Sequence, residues 1–326
     1  PGAGSPTAAP GAERSGRRHA KLFHGAGAMG VIRGILSLTF VAGNTVCWAL
    51  ATFVLKALGL LLPLPRWRRA WPAVMNRIID GWVSCNGAVL HRLLPTRIEV
   101  RGGEGLRRDG WYLVLSNHRT WTDILVLQGV FRHRLPVLKF FTKTQLRWLP
   151  FLGQALWALD FPFMRRYSRE YLEKHPEARG DDLAETRRKC ERYRTTPTAI
   201  LVFVEGTRFT ERKHRDQQSP WNHLLRPRAG GVGFVLGAMG EQLDRLVDVT
   251  LVYPEGPFDF LDYLCGRVPR ILVEIEELPL PREITGGDYA NDERYRLRVQ
   301  EWVTKRWARK DRRLGELLGP GERAAA

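Results

Sequence analysis

Cysteine is scarce: four occur in 326 residues, Cys47, Cys85, Cys190 and Cys265, far apart and without a Cys-x-x-Cys pair. That spacing supplies neither a zinc motif nor a disulfide framework, and it fits a reducing compartment. No Gly-x-Ser-x-Gly occurs, so the nucleophile elbow of a serine hydrolase is missing. Gly231 and Gly233 begin a dinucleotide fingerprint, but the next glycine, Gly237, falls one residue late. There is no internal repeat. Acidic residues are in deficit, 34 against 51 Lys and Arg, leaving a net charge of +17. A basic chain seeks an anionic partner, which means nucleic acid, an anionic membrane surface or a phosphate-bearing substrate. No nucleic-acid recognition module is present, so nucleic acid is not expected.

The remaining composition is that of a chain able to bury a sizeable core, at 44% hydrophobic residues. Residues 1–28 are rich in Ala, Gly, Pro and Arg and read as a disordered leader or extension, with Met29 as a natural start. Residues 29–95 read as a membrane-anchoring and amphipathic helical segment. Gly34 to Leu55 runs for 22 residues without a charge, enough for a transmembrane helix. A second apolar run, Ala57 to Leu64, leaves open one spanning helix or a re-entrant hairpin. Both flanks are basic (Arg17, Arg18, Lys21 and Arg33; Arg66, Arg68 and Arg69), which suits a bilayer but does not orient the helix. Ala70 to Pro95 has an amphipathic pattern.

Residues 96–280 change character. Strand patterns at Ile98–Val100, Trp111–Leu115, Pro136–Phe141, Ala199–Val204, Leu246–Val252 and Ile271–Glu276 alternate with helical ones. The helical patterns lie at Trp121–Gly129, Leu146–Leu159, Asp182–Arg194 and Gly231–Met239. Such alternation predicts an α/β fold, a mixed and largely parallel sheet flanked by helices. The tail, residues 281–326, carries a long charged helical pattern from Tyr289 to Leu318. Its Lys and Arg read as a solvated face or a second membrane contact.

Two motifs end strands. After Trp111–Leu115 comes Ser116-Asn117-His118-Arg119-Thr120-Trp121-Thr122-Asp123. On one continuous helix, His118 and Asp123 would sit roughly 140° apart. They meet if His118 lies in the loop and Asp123 in the first turn of the next helix, giving a base oriented by a carboxylate. Thr120-x-x-Asp123 also fits a capping box, in which Asp123 only closes a helix end. His118 has no ligand-spaced His or Cys neighbour, so no metal is expected. After Ala199–Val204 comes Glu205-Gly206-Thr207-Arg208, a glycine turn at a strand end where α/β folds bind ligands. Arg208 offers a donor fork suited to phosphate; an ordinary surface turn would look the same.

Together, Asn-His-x-x-x-x-Asp and Glu-Gly-Thr-Arg resemble the PlsC-type glycerophospholipid acyltransferases, the 1-acylglycerol-3-phosphate acyltransferases among them. Lys139-Phe-Phe-Thr-Lys143-Thr-Gln-Leu146, Pro150-Phe-Leu-Gly153 and Phe161-Pro-Phe-Met-Arg165-Arg166 resemble the family's second block. Pro227-Arg228-Ala-Gly-Gly231 and Val249-Thr-Leu-Val-Tyr253-Pro254 resemble later blocks, with Arg228 where many relatives carry lysine. The resemblance covers roughly residues 95–280, and Phe161 to Thr210 is most similar to the bacterial YihG-like branch. It implies a membrane-bound enzyme that moves a fatty acyl group from acyl-CoA or acyl carrier protein to the hydroxyl of lysophosphatidate. His118 is then the general base and Asp123 its orienting partner. Glu205, Gly206, Thr207 and Arg208 bind the glycerol phosphate, with Lys143 and Arg165 as further contacts. No cofactor is implied beyond the thioester co-substrate. The expected partners are a bilayer and a lysophospholipid, at the cytoplasmic side of a bacterial inner membrane. Transfer to another lysophospholipid, or a catalytically idle phospholipid-binding relative, are the alternatives. A phospholipase D-like hydrolase is disfavoured, because Thr120 stands where that motif needs lysine.

Overall fold

The structure, a computed structural model, describes residues 27–61, 65–164, 193, 196–289 and 291–319. The leader up to residue 26, Arg165 and nearly all of the helix expected at Asp182–Arg194 lie outside them.

The chain begins with α1 (Ala28–Leu61), a single helix of 34 residues that takes in the 22-residue run and most of the second apolar run. At 1.5 Å per residue it is about 50 Å long, more than a hydrocarbon core requires. It is long and apolar enough to cross a membrane. It does not stand alone. The amphipathic helix α2 (Pro65–Leu93) packs along it, so the two form a helical hairpin. Asn44, the most polar residue of the run, donates to the Trp82 carbonyl at 3.1 Å and to Asn86 Oδ1 at 2.9 Å. Outward, Ile32, Ile35, Leu36, Leu50, Val54 and Leu58 stay exposed, an apolar face suited to lipid.

Strands β1 (Arg97–Arg101), β2 (Tyr112–Ser116), β3 (Leu138–Phe140), β6 (Ala199–Phe203), β7 (Arg245–Val252) and β8 (Arg270–Leu278) form one sheet in the order β1-β8-β7-β2-β6-β3. Every pairing is parallel except β7 with β8. The mixed, largely parallel sheet is therefore present. Both faces are covered, which is why central strands read as unbroken apolar runs. Val114, Leu201, Val247 and Leu251 enter one core with α2 and α3 (Thr122–Phe131). Leu113, Leu115, Ile200 and Val202 enter the other, beneath α6 (Gly230–Met239) and the C-terminal helix α8 (Glu293–Leu318). The short elements β4 (Thr142–Lys143), α4 (Leu152–Ala158), β5 (Phe163–Met164), α5 (Glu211–Asp216) and α7 (Phe260–Leu264) fill the connections.

Two expectations change. Leu146–Leu159 is not one helix but a 3₁₀ turn over Thr144–Trp148 followed by α4. Pro150 disfavours helical backbone at Leu149, which is extended, and Phe151 follows at φ 61°. Gly153 then passes so close to the Leu146 carbonyl that a Cβ would collide with it. The C-terminal tail is the second, in part. Beside a solvated face that keeps Arg294, Arg298, Lys305, Arg309 and Arg312 exposed, α8 buries Tyr295, Val299, Val303, Trp307 and Leu314 against the sheet. Each such side chain contributes about 1.5–3 kcal/mol. Several of its cations are consumed by sheet carboxylates. Lys310, 3% exposed, lies 2.5 Å from Asp248 and donates to the Val249 carbonyl at 2.7 Å. Arg306 bonds Asp248 and Glu276, and Arg313 bonds Glu274.

Lys310→Ala removes one of the two cations on Asp248, leaving Arg306, and takes the donor from the buried Val249 carbonyl. It is expected to destabilise the protein by about 1–3 kcal/mol, read as a lowered thermal midpoint. A midpoint within a degree of wild type would show that Arg306 alone satisfies Asp248.

Candidate active site

The strand ends of β2, β6 and β7 converge, and the loops that leave them build the site. Asn117 fixes the first loop: its amide accepts from Leu251 N and donates to Leu251 O, both at 2.9 Å, locking the end of β2 to β7. His118 follows in that loop, and Asp123 sits in the first turn of α3. His118 Nδ1 lies 2.8 Å from Asp123 Oδ2. A carboxylate oxygen can only accept here, so Nδ1 carries the proton and Nε2 keeps a lone pair on the ring edge turned away from Asp123. The imidazole is stacked on Phe203, with centroids 4.0 Å apart and planes at 17°.

Asp123 is fully buried. Oδ2 also accepts from Arg119 N at 2.6 Å and Thr120 N at 3.0 Å, which ties down the loop before α3. The capping box that the spacing offered is not formed: Trp121 is the N-cap and no side chain caps it. Its other oxygen accepts from Tyr253 Oη at 2.5 Å. Burial and the adjacent carboxylate hold the Tyr253 phenol well above its ordinary pKa, so it stays a donor. Tyr253 was legible only as part of a motif block. Its role depends on β7 lying beside β2.

Glu205 departs from the part the resemblance implied. It is 1% exposed and does not reach the cavity. Oε2 accepts from His118 N at 2.8 Å and Oε1 from Leu225 N at 2.9 Å, so it grips the backbone of the histidine loop. A hydrogen bond from Phe209 N to His118 O, 2.8 Å, ties the same residue from the other side. Gly206 turns the chain at φ 66°, in the left-handed region, and a Cβ there would crowd Arg228. Thr207 accepts from Lys213 Nζ at 2.8 Å, and the same ammonium reaches the Arg208 carbonyl at 2.9 Å. The Arg208 guanidinium lies 5.3 Å from the centre of the Trp121 ring.

His118, Gly206, Thr207, Arg208 and Lys143 line one cavity of about 1110 Å³, so most of the expected site residues meet there. Arg165 lies outside the described residues. Lys213, Arg228, Arg296 and Gln300 line the cavity as well, with an apolar wall that includes Trp148, Leu149 and Phe234. Among the described residues that line it there is no carboxylate, no serine and no cysteine. Lys213, Arg296 and Gln300 were missed because nothing in their local sequence separates them from other surface polar residues.

The C-terminal helix braces the loop. Asp311 accepts from Asn222 N at 3.1 Å and His223 N at 2.8 Å, and Trp307 Nε1 donates to the Leu225 carbonyl at 3.0 Å. The His223 carbonyl accepts from Arg119 Nη2 at 2.9 Å, one residue from His118.

Residues 97–240 match the family model described as Acyltransferase. The protein is an acyltransferase. The acyltransferase is 25% identical over 283 residues to lysocardiolipin acyltransferase 1 of Gallus gallus, covering 81% of this chain and 69% of that one. It is 27% identical over 272 residues to lysophosphatidylinositol acyltransferase 10 of Caenorhabditis elegans, covering 78% and 64%. With 1-acyl-sn-glycerol-3-phosphate acyltransferase epsilon of Mus musculus it shares 23% over 309 residues, covering 87% and 78%. The crystal structure of PlsC, the 1-acyl-sn-glycerophosphate acyltransferase from Thermotoga maritima, superposes at a TM-score of 0.45 with 17% identity. That superposition covers 85% of this chain and 98% of that one. These three sequence relatives are eukaryotic, so none places the acyltransferase in the bacterial YihG-like branch.

Burial pushes the Glu205 carboxyl up to about 7, against the pull of its two backbone N–H donors. The native protein then holds a proton that the unfolded chain loses near 4.5. This group's contribution to stability is full below that value and falls as pH rises to about 7, by up to about 3 kcal/mol. Glu205→Gln is expected to flatten the stability profile across that window and to lower kcat, because an amide N–H₂ would face a backbone N–H. An unflattened profile from denaturation at several pH values would contradict the assignment.

Proposed function

We propose that this acyltransferase moves a fatty acyl group from an acyl-CoA or acyl carrier protein thioester to the free hydroxyl of a lysophospholipid, with lysophosphatidate as the acceptor. The observation that carries the reading is a histidine whose Nδ1 is fixed on a buried carboxylate, in a cavity shared with Arg208 whose described lining holds no serine or cysteine. With none there to acylate, direct attack by the acceptor is the simplest chemistry. His118 Nε2 takes the hydroxyl proton as the oxygen bonds to the thioester carbonyl carbon. The tetrahedral intermediate collapses, the carbon–sulfur bond breaks, and the proton passes from His118 to the departing thiolate. The products are an ester and a free thiol, and no metal or other cofactor enters. Asp123 keeps the tautomer and stabilises the imidazolium, while Tyr253 holds the carboxylate from behind. Arg208 takes the acceptor's phosphate, with Lys143 and Arg228 nearby.

The named relatives act on lysocardiolipin, lysophosphatidylinositol and 1-acyl-glycerol-3-phosphate, all lysolipids bearing phosphate. That supports a phosphate-bearing acceptor. The exposed apolar face of α1 supports membrane association. The absence of a disulfide framework supports the cytoplasmic face, which we take to be that of a bacterial inner membrane.

His118→Ala is expected to cost at least about 10²-fold in kcat, the scale of general-base help, while the protein folds normally. Undiminished turnover would sink the mechanism. Arg208→Ala should raise KM for lysophosphatidate by about tenfold, the loss of one charge-assisted contact. An unchanged KM in the same steady-state assay would remove Arg208 from the phosphate site.

A further inference from the structure

The two charged cavities along α8 differ in how their cations are satisfied. One, between α8 and β8, sets carboxylates among its cations: Arg306 and Lys310 engage Asp248, Arg306 also engages Glu276, and Arg313 engages Glu274. The active-site cavity is lined differently. Lys143, Arg208, Lys213, Arg228 and Arg296 all line it, and no carboxylate does among the described residues. Gathering like charges in one cavity costs Coulomb energy unless an anion shares it. A single phosphomonoester is accounted for by the cations at the Gly206–Arg208 turn. Arg208 belongs to that turn, Lys213 bonds its backbone, and Arg228 packs on Gly206.

Arg296 comes from elsewhere. It stands on α8 with Gln300, four residues on and so on the same helix face, and Tyr289 lies just before the helix. Tyr289 is held by a hydrogen bond with Gln300 and by an edge-on contact with Phe234, 5.4 Å between centroids. Among the described residues Arg296 has one carboxylate partner, Glu293 at 3.3 Å, whose side chain is 76% exposed. A pair that open to solvent is weak, and a ligand phosphate can replace it. All three residues lie beyond the segment, residues 97–240, that matches the family.

We propose that Arg296 and Gln300, with Tyr289, form a second phosphate subsite, which takes a phosphate other than the one bound at the Gly206–Arg208 turn. The proposal rests on the acyl-transfer reading of the cavity. Two ligands carry such a group. One is the nucleotide end of coenzyme A, with its 3′-phosphate and diphosphate. The other is an acceptor lysolipid bearing a second phosphate.

The test is steady-state kinetics of the full chain in phosphatidylcholine nanodiscs, comparing wild type, Arg296→Ala and Arg296→Lys. Donors are oleoyl-CoA and oleoyl-3′-dephospho-CoA; acceptors are lysophosphatidate and a lysolipid with two phosphates. Arg296→Ala is expected to raise one KM by about tenfold, equivalent to about 1.4 kcal/mol, with kcat near wild type and Arg296→Lys in between. A rise confined to oleoyl-CoA assigns the subsite to the donor nucleotide. A rise confined to the two-phosphate acceptor assigns it to the lipid. KM values within twofold of wild type for every ligand overturn the proposal. If wild type acylates neither acceptor, the functional reading fails. Calorimetric binding of free coenzyme A and of both lysolipids to wild type and Arg296→Ala then decides the subsite alone. Weaker binding of coenzyme A or of the two-phosphate lysolipid to the variant supports it, and equal binding overturns it.

Discussion

The buried carboxylate of Asp123 is the group on which the site depends. It accepts from the His118 ring, two backbone amides of the same loop and the Tyr253 hydroxyl. A charge taken so far out of water is tolerable only when its lone pairs are used. Here using them orders everything nearby. The imidazole acquires one tautomer, the turn into α3 is closed, and β7 is drawn against the end of β2. The fixing of the loop and the orientation of the base are two consequences of one placement.

Glu205 solves a complementary problem. The loop that carries His118 leaves β2 with backbone donors facing the interior, and such groups need acceptors. Glu205 takes one from His118 and another from Leu225, so two loops from different strands share a single side chain. The 222–225 loop is held in turn by Asp311 and Trp307 of α8. A helix outside the family-matched segment thus reaches the histidine through a chain of hydrogen bonds.

The same helix shows why charge composition is ambiguous without coordinates. A +17 chain implies anionic partners, but part of that charge is spent internally by Arg306, Lys310 and Arg313 on sheet carboxylates. Other cations, Arg208 and Arg228 among them, line the active-site cavity. The exposed face of α1, by contrast, is built from apolar side chains such as Ile32, Leu36, Leu50 and Val54, and so is suited to lipid. Apolar attraction to lipid and electrostatic attraction to headgroups are carried by different surfaces.

Much of this was readable from the chain because it is local. Largely apolar runs mark β2, β6 and β7, since both sheet faces are buried; the long uncharged run marks α1; the spacing of His118 and Asp123 allows a loop-to-helix pair. Gly206 marks a turn that needs positive φ. What local pattern could not convey is which distant residues arrive as neighbours. Tyr253 meets Asp123 only because β7 pairs beside β2. Glu205 turns inward because two backbone donors wait there, and Arg296 enters the cavity because α8 folds back over the sheet. Even the break at Pro150 was local, but its result, a 3₁₀ turn on the cavity lip, was settled by packing. Residue type and spacing determined the chemistry available to this protein; strand order and helix docking decided which groups share one cavity, because contact across a sheet leaves no periodic trace in the chain.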